Sequence, residues 1–171
     1  MPFQQPGEYA EYYQKYINLV GEDSMTDGFR VQRERITDFL LSISEEDANK
    51  AYAPGKWTIK ELMQHVIDTE RVFSFRALAF ARQDPNSFPG FEEDDYARVS
   101  DANRRIWLDL VAEFWAVRGS TETLFQSFTD QMLLQIGRAN QNPMSVRAVA
   151  YVCLGHVYHH LQVVKDRYLN S

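Results

Sequence analysis

Apolar residues recur at helical spacing along nearly the whole chain, and this pattern excludes most architectures at the outset. Tyr9, Tyr12, Tyr13, Tyr16, Ile17 and Val20 fall at i, i+3, i+4, i+7, i+8 and i+11, one face of a short helix that Gly21 ends. Val31, Ile36, Phe39, Leu40 and Ile43 mark a second helix beginning near Asp27. A third opens on a capping box, in which Thr58 accepts from the Glu61 amide and the Glu61 carboxylate reaches back to the Thr58 amide. Its stripe runs through Leu62, Val66, Thr69, Phe73, Ala77 and Phe80 to about Arg82. Helix resumes near Asp101 and carries Ile106, Leu110, Val111, Phe114, Trp115, Leu124, Phe125 and Phe128. Gly119 inside it costs about 1 kcal/mol, which makes a break there conceivable. The last helix starts at Ser145, a good N-cap, and runs to about Tyr168.

Four long helices and a short N-terminal one predict an all-α four-helix bundle, a single domain over residues 1–171. No segment reads as a strand. Residues 83–100, QDPNSFPGFEEDDYARVS, have no period and read as one long loop, a length that in compact domains often serves function. Gly137 to Pro143 read as a second irregular stretch.

A net charge of -6 with scattered basic residues argues against nucleic acid as a partner, since phosphate neutralisation needs a clustered basic surface. No apolar run approaches the ~20 residues that cross a bilayer. The N-terminus lacks the basic and apolar regions of a secretory signal, and Cys153 is the sole cysteine. The expectation is a cytoplasmic protein acting on a small molecule.

The four histidines are His65, His156, His159 and His160. Residues four apart on a helix are displaced by about 40° around the axis and ~6 Å along it, so His156 and His160 point the same way. Val146, Val149, Cys153, Val157 and Val164 share their face, which puts the pair in a core stripe. His159 is turned about 100° from His160 and lies off it. His65, on another helix, flanks that helix's apolar stripe. Two readings fit: a metal held by three imidazoles with an open position, or buried imidazoles satisfied by carbonyls and water. Zinc and nickel suit imidazole best, with iron, cobalt and manganese also accepted. A peptidase of the H-E-x-x-H type is excluded, because Val157 follows the first histidine. Neither a glycine-rich phosphate loop nor a G-x-S-x-G elbow is present.

Three segments resemble the DinB-like superfamily: KWTIKELMQHVIDTERVFSFRALAFARQD (Lys56 to Asp84), FPGFEEDDYA (Phe88 to Ala97) and RANQNPMSVRAVAYVCLGHVYHHLQVVKDRYL (Arg138 to Leu169). Together they cover a little under half of the chain. The family's W-[ST]-x-x-E-x-x-x-H pattern matches Trp57, Thr58, Glu61 and His65; its H-x-x-H-H pattern matches His156, His159 and His160. The resemblance implies a four-helix bundle with a metal on His65, His156 and His160, the middle histidine being no ligand. It also implies a homodimer. Family activities include transfer of bacillithiol or mycothiol, a mycothiol-dependent isomerisation, and metal-dependent hydrolysis. A metal-dependent thiol S-transferase using a low-molecular-weight thiol is the first expectation. Hydrolysis, or a non-catalytic metal-binding dimer of a stress response, stands as the alternative.

Asp68 and Glu61 lie one turn either side of His65, and either could orient an imidazole or act as general base, although Glu61 has its cap to fill. Arg76 shares the direction of His65 three turns on and suits a substrate carboxylate or an interhelical ion pair. Cys153 could add a fourth ligand but is more simply a small core residue. The N-terminal tyrosines suit groove lining or plain packing. The 83–100 loop is expected to cover the metal's open position, anchored by Phe88 and Phe91, with Glu92 to Asp95 turned outward into water.

Overall fold

The computed structural model describes residues 7–169. A 3-10 turn at Glu11–Tyr13 leads into α1, Gln14–Ile17, so the N-terminal helix is shorter than its stripe predicts. The elements that follow are α2 (Met25–Ser42), α3 (Glu45–Ala48), α4 (Ile59–Ala81), β1 (Ser87–Phe88), α5 (Glu93–Val99), α6 (Trp107–Gln126), α7 (Asp130–Leu133), β2 (Ile136–Ala139), β3 (Asn142–Ser145) and α8 (Val146–Val163). The chain beyond α8 continues as a π-helical turn over Val164–Leu169.

The long helices α2, α4, α6 and α8 form the bundle, and side chains fix where they start. Ser24 caps α2 and Ser145 caps α8, each accepting an amide in its first turn. The capping box of α4 is complete: the Glu61 amide donates to Thr58 Oγ1 at 3.1 Å and the Thr58 amide to Glu61 Oε2 at 2.8 Å. Glu61 is thereby committed to its cap. Helix α6 begins where the Trp107 amide donates to Glu45 Oε2 at 2.7 Å. Gly119 leaves α6 unbroken, because the helix is held by its packed face of Leu110, Phe114, Arg118 and Phe125.

Two apolar clusters fill the bundle. One joins Ile36, Leu40, Leu62, Ile67, Trp107, Phe114 and Leu161; the other joins Phe29, Phe73, Phe80, Phe125 and the first half of α8. A polar brace crosses the interior. Buried Arg118 donates to Gln32 Oε1 at 2.6 Å and to Glu70 Oε2 at 2.7 Å, and Gln32 donates to the Leu154 carbonyl at 2.8 Å. It ties all four long helices together.

The prediction of no strands fails. Residues β1, β2 and β3 form a small sheet in that order, with β1 parallel to β2 and β2 antiparallel to β3. The hairpin turns at Asn140 and Gln141, both with positive φ (49° and 63°), the twist that two-residue hairpin loops require. The segment read as a loop over 83–100 likewise contains β1 and α5. Helix α5 carries Glu93, Asp94 and Asp95 in its first turn and Arg98 in its last, complementing the helix dipole. Among the described residues no helix is long and apolar enough to cross a membrane.

Candidate metal centre

The three histidines come together. His65 on α4 is separated from His156 on α8 by 3.2 Å between Nε2 atoms, and His160 lies 3.0 Å from His156, again Nε2 to Nε2. One nitrogen from each ring lies within 4.8 Å of the others. Ligand nitrogens about 2.0–2.1 Å from a shared ion stand roughly 3.0–3.4 Å apart, so the His65–His156 and His156–His160 spacings suit coordination. Mutual hydrogen bonding suits it less, since three ring nitrogens facing one point cannot all find a donor and an acceptor among themselves. The donor set therefore fits a divalent ion of the zinc or nickel kind.

Burial puts the rings in the form a metal needs. Desolvation pushes His65 down to about 4 and His160 to about 3, with His65 and His159 adding to the shift at His160. His156 is depressed well below the ordinary range, first by burial and then by its histidine neighbours. All three are neutral near pH 7, with lone pairs available. The far nitrogen of His65 faces Thr69 Oγ1 at 3.5 Å, a long contact that biases the ring toward presenting Nε2 inward. Trp57 packs on His65 with centroids 5.0 Å apart, and Tyr16 meets His156 edge-on at 5.5 Å. His159 stays outside the trio, against Tyr16 at 5.4 Å.

The trio is reached from two sides. A cavity of about 290 Å³ has His156, Thr69, Phe73, Arg76, Tyr12, Tyr13 and Tyr16 in its walls, with Gly90, Phe91 and Glu93 on the side of the 83–100 segment. A second, of about 340 Å³, has His160, Trp57, Leu62, Tyr168 and Asp94. The segment over 83–100 thus lies beside the histidines, pinned where Phe88 packs on Phe75 and Phe80 at 5.3 and 5.9 Å. All four residues of its acidic run, Glu92 to Asp95, are exposed, as expected, yet two of them also border the site. Helix α5 starts at the site, so its first turn sets Glu93 at one cavity and Asp94 at the other. Crowding raises the Glu93 carboxyl above the ordinary range, mainly by desolvation, with Asp94 adding and Lys15 opposing.

The remaining candidates lie elsewhere or act otherwise. Asp68 lines neither cavity: its carboxylate accepts from Gln64 at 2.9 Å and pairs with Arg71 at 3.6 Å, beside α6. The carboxylate sharing a cavity with His156 is instead Glu93, which the sequence hid in an acidic run. Arg76 is in the cavity wall. Cys153 is buried in the core, and desolvation pushes its thiol far up, the environment of an inert packing residue.

A family model described as the DinB superfamily matches residues 29–164. The chain belongs to the DinB superfamily. A relative from Oceanobacillus iheyensis, named "Putative metal-dependent hydrolase", is 26% identical over 146 residues, covering 80% of this chain and 79% of the relative. Another of the same name from Geobacillus thermodenitrificans is 23% identical over 171 residues, covering 96% and 90%. Among solved structures, YfiT from Bacillus subtilis, described as "a probable metal-dependent hydrolase with an unusual four-helix bundle topology", superposes with a TM-score of 0.66 at 14% identity, covering 98% of this chain and 93% of YfiT. That likeness shows the fold, a four-helix bundle.

Proposed function

We propose that this DinB-superfamily protein is a metal-dependent hydrolase whose ion is held by His65, His156 and His160. The observation that carries the reading is the convergence of three neutral imidazoles, one of which, His156, lines the cavity that also holds Glu93. Its relatives carry hydrolase names, which supports hydrolysis over thiol transfer, the first expectation from the sequence.

Bound there, a divalent ion supplies Lewis acidity to water and to a substrate carbonyl. The residues supply the rest. Thr69 steadies the His65 ring, and Trp57 and Tyr16 wall the imidazoles from bulk water. Glu93 takes a proton from the attacking water at its carboxylate and returns it to the departing atom, so that one water is consumed and no net proton is left on the protein. A carboxyl with a raised pKa is suited to both halves of that transfer.

The test is hydrolysis of a panel of small esters, amides and lactones by protein loaded in turn with zinc and nickel. Turnover should require metal, vanish in His156→Ala, and fall about 10²–10⁴-fold in Glu93→Gln. Absence of metal-dependent turnover across the panel, with thiol conjugation of an electrophile present instead, would return the transferase reading to first place.

A further inference from the structure

Three cations are buried among the described residues: Lys60, Arg76 and Arg118, at 2%, 4% and 1% exposure. Two of them are neutralised. Lys60 pairs with Glu45, and Arg118 meets Glu70 at 2.7 Å. Arg76 has no such partner. Its Nη2 donates to the Pro89 carbonyl at 2.6 Å and its guanidinium lies 5.7 Å from the Phe73 ring centre, contacts that leave its charge unanswered. An arginine cannot shed its proton to escape this cost, and four of its five N–H donors remain after the Pro89 bond. Glu93, the carboxylate in the same cavity, makes no ion pair with it and has Lys15 as its opposing charge.

The position of this charge is informative. Arg76 is eleven residues beyond His65 on α4, about 16 Å along the axis and nearly in the same direction. Side chains on a helix lean toward its N-terminus, so Arg76 reaches back along the cavity, with Phe73 and Thr69 between it and the histidines. Tyr13 lines the same cavity and lies close enough for its phenol and the guanidinium to influence each other electrostatically. The cavity, at about 290 Å³, sits at the small end of sites for small molecules.

We propose that this cavity binds small anionic molecules carrying a carboxylate several bonds from the reacting group, and that Arg76, assisted by the Tyr13 hydroxyl, takes the carboxylate. The position of the reacting group rests on the hydrolase reading; the carboxylate site does not. The pairing completes the charge balance that Glu45 and Glu70 provide for the other two buried cations. A guanidinium offers the carboxylate two parallel donors, and a neutral amide of the same shape forfeits the charge-assisted bonds.

The experiment is ligand-observed NMR on the metal-loaded protein with two probes, hexanoate and hexanamide. Hexanoate should bind about tenfold or more tightly than hexanamide, the scale of one charge-assisted pair. Arg76→Gln should erase the difference, and Arg76→Lys should restore part of it. His156→Ala, which lacks a full metal site, should keep the preference. Equal binding of the two probes by the wild-type protein overturns the proposal without need of any variant. So does a preference that survives Arg76→Gln or disappears in His156→Ala, either of which places the carboxylate on the metal. Turnover is not read, so failure of the hydrolase reading and failure of this one are separable.

Discussion

Gly155 of α8 lies directly beneath the backbone of Tyr16: a Cβ added at 155 would stand 2.0 Å from the Tyr16 carbonyl oxygen. This close approach seats the short α1 on a long bundle helix, within the stretch of α8 over 148–157 where every residue is buried. It also delivers the Tyr16 ring to His156, the next residue. A packing contact with no chemistry of its own thus shapes one wall of the metal centre.

Gly155→Ala should therefore act at two levels. The methyl meets backbone, which cannot rotate aside, so α1 must lift. We expect a loss of about 1–3 kcal/mol in denaturant unfolding and a weaker hold on metal in equilibrium dialysis. Wild-type stability and metal affinity in this variant would show that α1 is not seated as described.

The sequence displays what is periodic or chemically singular and conceals the rest. The capping box of Thr58 and Glu61 and the alignment of His156 with His160 are local in the chain, and both stand as read. Helix α5 buries only Ala97, so it has no stripe to detect and its acidic residues look like a solvated run. The β2–β3 hairpin contains Pro143 and lacks alternation, and it is fixed by the positive φ at Asn140 and Gln141 and by pairing with distant β1. Glu93 and Gly155 matter because of neighbours far away in sequence, Thr69 with Arg76 in one case and Tyr16 in the other. No spacing rule reports such meetings.

The Arg118–Glu70 brace offers a stability test. Removing the cation by Arg118→Met strands a buried carboxylate and should cost about 3–5 kcal/mol in urea unfolding. Replacing both partners by Met removes the stranded charge as well, so the double variant should recover much of the loss. A double variant as unstable as the two single losses added together would show that the pair is uncoupled.

Acid should destabilise the metal-free protein earlier than its carboxylates alone require. The folded histidines are depressed, to about 4 for His65 and about 3 for His160, while unfolded imidazoles titrate near ~6.5. Between those values the unfolded chain binds more protons. The stability these neutral rings contribute is whole above pH ~6.5 and drains as pH falls toward 4 and then 3, by up to about 1.4 kcal/mol per imidazole per pH unit. Thermal melts from pH 7.5 to 4.5 should show that decline, and it should flatten when His65 and His160 are both replaced by Gln.

The two adjacent histidines give a sharp internal control. His160→Ala should abolish stoichiometric metal binding, whereas His159→Ala should leave it nearly intact, because His159 packs against Tyr16 outside the converging nitrogens. Elemental analysis after dialysis against a weak chelator reads both. Equal loss in the two variants would sink the assignment of ligands.

Glu93 makes the most demanding prediction, because it concerns a residue on the segment over the site rather than in the bundle. A base works only when ionised, so metal-dependent hydrolysis should fall in acid as pH drops through the Glu93 pKa. Desolvation and the neighbouring Asp94 set that pKa above the ordinary glutamate range. In Glu93→Gln the residual rate should lose this acid limb while metal content stays unchanged. Asp94→Asn should move the limb toward lower pH, since it removes one of the charges that opposes ionisation of Glu93. Metal loss also gives an acid limb, so content must be measured at every pH. If the limb persists in Glu93→Gln at constant metal content, the proton acceptor is another group and Glu93 is only part of the cavity wall.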